Sequence, residues 1–244
     1  MNLTFNSFKT LAQNTSLPDH ERIGFPAIYR AGYEDIILED IETKVPALGM
    51  RDKTIVDIGC GCGLLTQKML SLCHDRNHTV VLIDSEEVLS ALPDGSNIKK
   101  VPGRFPKNSS MLQDYIGIAD GVIIYSVLQH VILEDSVFSF IDHACQFLVT
   151  GGCLLLGDIP NITKARRYFT TEEGIAKHRE NHNDHTSLPF ISAHGTLETG
   201  KFDDSIILGI LGRYRAAGYE SHLLPQPSSL PLSNRREDIT IVKR

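Results

Sequence analysis

The stretch Lys53-Thr54-Ile55-Val56-Asp57-Ile58-Gly59-Cys60-Gly61-Cys62-Gly63 decides how the rest of the chain is read. An apolar run of strand type, 53–59, stops at three glycines on alternate positions, and a helical pattern, 63–74, begins at the last of them. Glycine at that spacing permits a tight turn and lets a ligand touch backbone where any Cβ would collide. A nicotinamide-type fingerprint, G-x-G-x-x-G counted from Gly59, needs glycine at position 64, and Leu64 stands there instead.

Outward from this loop, strand-type runs recur at 79–84, 97–102, 119–126 and 151–158, with helical patterns at 85–91 and 134–148 between them. That alternation is the pattern of parallel strands joined by helical crossovers. Upstream, 31–45 reads as an amphipathic helix preceded by a polar arm with Pro18 and Pro26, so residues 1–50 are expected to form an N-terminal helical cap. Downstream, 160–200 does not resemble a crossover helix and reads as an insertion placed as a lid. A helix over 202–220 and two terminal strands, ESHLLPQ and EDITIVKR, complete one α/β domain spanning 1–244.

Composition narrows the partners. The 244 residues carry 24 Lys+Arg against 30 Asp+Glu, a formal charge of −6, which disfavours nucleic acid. No run of about 18 apolar residues predicts a membrane span, and the N-terminus lacks a signal-type apolar core. Five cysteines without repeated C-x-x-C spacing fit a reducing, cytoplasmic setting and no metal site, with Cys60 and Cys62 as small fillers in the turn. The oligomeric state is left open.

The G-x-G-x-G turn with Asp57 two positions before Gly59 resembles motif I of class I S-adenosylmethionine-dependent methyltransferases. The resemblance implies a Rossmann-like seven-stranded, mostly parallel sheet with an antiparallel last strand and helices on both faces. It also implies S-adenosylmethionine as cofactor, held by Asp57, Gly59, Cys60, Gly61 and Gly63. Asp84, closing the second strand with Ser85 beside it, matches the acidic residue that holds the ribose hydroxyls. Arg104 and Phe105 stand near the adenine position, where Arg104 replaces a common acidic residue; Tyr125 and Ser126 match the segment after the fourth strand, beside the methionine portion.

Methyl transfer is an in-line displacement, so alignment dominates, and an oxygen or ammonium nucleophile also needs a base. His130 and Asp158 are the catalytic candidates, each at the expected cofactor edge. In the insertion, His178 and His182 share a helical face, a spacing that permits metal chelation though no H-E-x-x-H pattern appears, and His182, His185 and His194 read as substrate contacts of a lid. Arg22, Arg30, Arg104, Arg166 and Arg167 suit a small anionic acceptor. The segments IGFPAIYRAGYEDII, VLIDSEE, PGRFP, GDIPN and SNRREDITI resemble bacterial methyltransferases of surface-polysaccharide or sugar-derivative biosynthesis, while the N-P-P-Y type motif of base-amine methylation is missing after the fourth strand. The alternative function is a non-catalytic module of the same fold that binds the cofactor or a partner protein.

Overall fold

In the computed structural model, which describes residues 3–107, 109–182, 186–189 and 198–244, one twisted sheet runs through the molecule. Its strands are β1 (Thr54–Ile58), β2 (Thr79–Asp84), β3 (Ile98–Pro102), β4 (Ala119–Tyr125), β5 (Leu148–Pro160), β6 (Glu220–Leu224) and β7 (Arg236–Val242). They lie in the order β3-β2-β1-β4-β5-β7-β6. The first five pair in parallel, and β7 slots antiparallel between β5 and β6. This is the seven-stranded, mostly parallel sheet with an antiparallel last strand that the sequence implied.

The helices are α1 (Phe5–Gln13), α2 (Asp19–Arg22), α3 (Ala27–Arg30), α4 (Glu34–Lys44), α5 (Leu64–Asp75), α6 (Glu86–Ser90), α7 (Ser109–Leu112), α8 (Leu128–Glu134), α9 (Val137–Cys145), α10 (Ile162–Phe169), α11 (Glu172–His182) and α12 (Asp204–Ala216). Central strands are apolar at successive positions because both faces are covered. Val56, Ile58, Val81, Ile83, Val122, Ile124, Leu154 and Leu156 face a core closed by α8, α9 and α12. Their neighbours Ile55, Val80, Leu82, Ile123 and Leu155 point the other way, against α4, α5 and α6. None of the described helices is long and apolar enough to cross a membrane.

Three boundaries differ from the sequence expectation, each for a local reason. The helical pattern at 134–148 is divided: α8 ends at Glu134, Asp135 is extended, and Ser136 caps α9 by accepting from Ser139 N. β5 begins at Leu148, three residues early, because a bulge near Gly151, whose φ is +82°, lets the chain rejoin β4. The polar arm before α4 is helical. Thr4 and Ser7 form a capping box at the start of α1, and Pro18 and Pro26 stand at the N-caps of α2 and α3.

Segment 160–200 contributes α10 and α11 before α12. Asn161 caps α10 through Thr163 N and Lys164 N, and its Nδ2 reaches Asp204 Oδ1 at 2.8 Å, fastening the segment to the start of α12.

Candidate active site

All parallel strands end at one edge, and the loops leaving β1, β2, β3 and β4 surround a cleft there, open to solvent at its mouth. Its lining includes Asp57, Gly59, Cys60, Gly61, Gly63, Asp84, Arg104, Phe105, Tyr125, Ser126 and His130. Of the cofactor-binding and catalytic candidates, Ser85 and Asp158 lie outside that lining.

At the β1 end the chain turns through left-handed backbone, with φ of +74° at Gly59 and +65° at Gly61. Any Cβ at Gly59 would lie 2.6 Å from Val127 Cγ2, and one at Gly61 would lie 3.1 Å from Ile23 Cγ2. Gly63 is the N-cap of α5 and also sits against Ile23. The bare loop therefore serves two ends: it frees the backbone to turn, and it gives the N-terminal cap a flat surface to dock on.

Asp84 fastens this turn to the end of β2. Its Oδ2 accepts from Gly61 N at 3.0 Å and its Oδ1 from Ser85 N at 2.7 Å, while Ser85 Oγ caps α6 by accepting from Val88 N. Burial pushes the Asp84 carboxyl up to about 6, against the pull of the two backbone donors. Asp57 is pushed up to about 8, by burial first and then by the Asp84 charge. Each oxygen of Asp84 keeps a lone pair, so it can still accept from a pair of hydroxyls. Glycine faces bare of side chains, a carboxylate at the strand edge and apolar Ile83, Val88 and Phe105 behind it fit a nucleoside with a polar tail, S-adenosylmethionine included.

After β3, Arg104 turns to Glu134 Oε2 at 3.3 Å and to Asp135, and its guanidinium lies 5.8 Å from the Phe5 ring centroid. Phe105 meets Phe140 edge-on at 4.9 Å. After β4, Tyr125 packs on Gly157, where any Cβ would lie 2.3 Å from the ring. Ser126 takes φ +60°, held by its N–H to Gly157 O and by Gln129 Nε2 donating to its carbonyl at 2.7 Å.

The two catalytic candidates have different surroundings. His130 Nδ1 lies 3.2 Å from Leu3 O, and a carbonyl can only accept, so Nδ1 carries the proton and Nε2 is the basic nitrogen. Burial holds the imidazole below its ordinary value, and the Phe8 ring meets it edge-on at 4.7 Å. Among the described residues Nε2 has no hydrogen-bond partner.

Asp158, with φ +58°, is buried instead beneath the cleft floor. Its Oδ2 accepts from Ser126 Oγ at 2.7 Å, Gln226 Nε2 lies 3.5 Å from Oδ1, and Arg236 Nε lies 3.7 Å from the same oxygen. A second layer continues from there: Asp238 Oδ1 accepts from Asp158 N and Gln226 Nε2, and Asp238 Oδ2 pairs with Lys44, which also holds Asp40.

The N-terminal cap contributes Phe5, Phe8, Arg22, Ile23 and Phe25 to the wall of the cleft. No described residue of 160–200 lines the cleft. His178 packs edge-on to Phe169 at 6.3 Å, His182 ends α11, and His185 and His194 lie outside the described residues. Of the five arginines, Arg22 donates to Ala12 O, Arg166 pairs with Glu198 and Arg167 with Asp204. Arg30 is buried in the cleft wall. Lys44, Gln226 and Asp238 were not foreseen; the one signal for them is a charge inside an apolar pattern, as in Glu237-Asp238-Ile239-Thr240-Ile241.

No family model and no curated protein matches the chain. Solved structures do. The chain is similar to the plantazolicin methyltransferase BpumL in complex with S-adenosylhomocysteine, at 15% identity and TM-score 0.58, over 97% of this chain and 95% of that one. It is similar to phosphoethanolamine N-methyltransferase 1 of Haemonchus contortus, in complex with phosphoethanolamine and S-adenosylhomocysteine, at 17% identity and TM-score 0.57, over 98% of this chain and 49% of that one. A putative S-adenosyl-L-methionine-dependent methyltransferase from Methanococcus maripaludis matches at 15% identity and TM-score 0.53, over 98% and 93%. At these identities the likeness shows the fold, that of class I methyltransferases.

Proposed function

We propose that this chain is an S-adenosylmethionine-dependent methyltransferase that modifies an oxygen or nitrogen of a small, anionic, sugar-related acceptor. The observation that carries the reading is the Asp84 carboxylate tied to Gly61 N, which joins the ends of β1 and β2 in the cleft beside the β1–β4 reversal of strand order. Bound there, the cofactor supplies an electrophilic methyl group on a sulfonium. The chain's own part is to hold and align. The left-handed glycine turn and Asp84 fix the nucleoside end, Phe105 and Val88 give it an apolar wall, and the cap residues Phe5, Phe8, Ile23 and Phe25 keep water out.

His130 is placed to take the acceptor's proton at Nε2, because Leu3 O holds the proton on Nδ1 and burial keeps the ring neutral at pH 7. Asp158 acts through Ser126 instead, as a positioning residue. The sequence resemblance supports an acceptor from surface-polysaccharide or sugar-derivative synthesis, the charge of −6 speaks against nucleic acid, and five free thiols fit a cytoplasmic setting.

The test is transfer of labelled methyl from S-adenosylmethionine to a panel of sugar acids, sugar phosphates and amino sugars. The expected result is labelling of an anionic member. His130→Gln is expected to lower kcat about a hundredfold, and the wild-type rate to fall as pH drops through a value below 6.5, where the imidazole takes a proton.

A second reading, a non-catalytic binding module, is favoured by one observation: Ile23 of the cap already rests on Gly61 and Gly63. Cofactor affinity without turnover on any panel member would favour it.

A further inference from the structure

Arg30 differs from every other arginine that the sequence offered for an acceptor. It is 5% exposed, and among the described residues no carboxylate lies within 4.0 Å of its guanidinium. Nη2 donates to Ser126 Oγ at 3.2 Å, and Nε, fully buried, meets no acceptor. The guanidinium is held in place by two aromatic faces, its Cζ 4.4 Å from the Phe25 ring centroid and 5.7 Å from that of Tyr125. A buried cation is costly unless an anion meets it, and the planar fork presents its N–H groups in pairs that match a carboxylate or phosphate.

The negative charge that Arg30 reaches through Ser126 is already engaged. Asp158 stands one hydroxyl away, behind Ser126, and takes Ser126, Gln226 and Arg236 as its own neighbours. Ser126 and Asp158 both hold left-handed backbone at adjoining strand ends, which is strain placed at the floor beneath Arg30.

Position decides which ligand the fork faces. Arg30 forms wall of both the main cleft and a smaller recess lined by Tyr29, Asp158, Gln226 and Leu230. That recess lies on the β4–β5–β7 side of the sheet, away from the glycine turn and Asp84 on β1 and β2. Resting on the methyltransferase reading, we infer that Arg30 is the specificity-determining anchor for a carboxylate or phosphate carried by the acceptor. The subsite does no chemistry. It orients the acceptor so that a neighbouring hydroxyl or amine points toward the cofactor end of the cleft.

The experiment is calorimetric titration of inorganic phosphate and of acetate into the full chain saturated with S-adenosylhomocysteine, comparing wild type, Arg30→Lys and Arg30→Gln. Wild type is expected to bind at least one anion, Arg30→Gln to lose at least tenfold, and Arg30→Lys, a point charge without the fork, to fall between. Affinity of Arg30→Gln for S-adenosylhomocysteine is expected to stay within threefold of wild type. Equal anion affinity in wild type and Arg30→Gln, or no anion binding at all, would overturn the inference. So would a tenfold loss for S-adenosylhomocysteine with unchanged affinity for methylthioadenosine, which lacks the carboxylate, because Arg30 would then serve the cofactor.

Failure of wild type to bind S-adenosylhomocysteine would sink the methyltransferase reading, and the anion titration of the protein alone would still decide for Arg30. If Arg30→Gln does not fold, the wild type decides. Phosphate at matched ionic strength should raise its Tm above that in chloride, and no rise overturns the proposal.

Discussion

On the β1–β2 side of the cleft, the groups that face a ligand are backbone atoms of a glycine turn and one carboxylate, drawn from segments a single crossover apart. On the β4–β5 side they are side chains, Arg30 and Ser126, braced by Asp158, Gln226, Asp238, Lys44 and Asp40 from across the whole chain. The first side is fixed by what the backbone can adopt and the second by charge satisfaction in a dry interior. A turn of this kind tolerates few residue types but costs little stability to keep. A buried ion cluster is stable only while every member is present.

The sharpest way to break this contrast is Lys44→Met, which leaves Asp40 and Asp238 buried without their cation. It should cost about 3–5 kcal/mol in urea unfolding, with affinity for S-adenosylhomocysteine unchanged. A large loss of affinity with little loss of stability would mean that the two sides are one unit.

Gly61→Val probes the other side. A side chain at φ +65°, 3.1 Å from Ile23, should carry about 1–2 kcal/mol of strain. It should weaken S-adenosylhomocysteine about tenfold, because the strain falls on the turn that meets the ligand. Unchanged affinity by titration would remove the turn from the site.

A smaller effect concerns pH. Asp57 in the folded chain keeps its proton up to about 8, whereas an unfolded aspartate sheds it near 3.8. Between those values the folded state binds more protons, so stability of the ligand-free protein falls as pH rises from about 4 to about 8. Asp57→Asn should flatten that slope in unfolding midpoints measured across the range.

The same contrast explains what could be read from sequence. The turn was legible because positive φ at Gly59 and Gly61 demands a residue type, and that demand shows at fixed spacing. Asp84 was legible because strand and crossover lengths put it at the same edge. Lys44, Gln226 and Asp238 carry no such mark: their meaning comes from a partner far away in sequence, as Lys44 with Asp238. The expected N-terminal cap gave no sign in sequence that it lines the cleft, because α1 to α3 are short and take their order from docking Phe8, Ile23 and Phe25 there. The helical pattern at 134–148 was read through its break because Ser136 looks like any polar helix residue until its hydroxyl is seen to cap Ser139 N.

The central claim is that the cleft at the ends of β1 and β2 holds S-adenosylmethionine through the glycine turn and Asp84. Calorimetric titration of S-adenosylhomocysteine into wild type and Asp84→Ala tests it most directly. The account predicts micromolar binding by wild type and at least a tenfold loss in the variant. No heat of binding in a folded wild type, or equal affinity in both proteins, would contradict it.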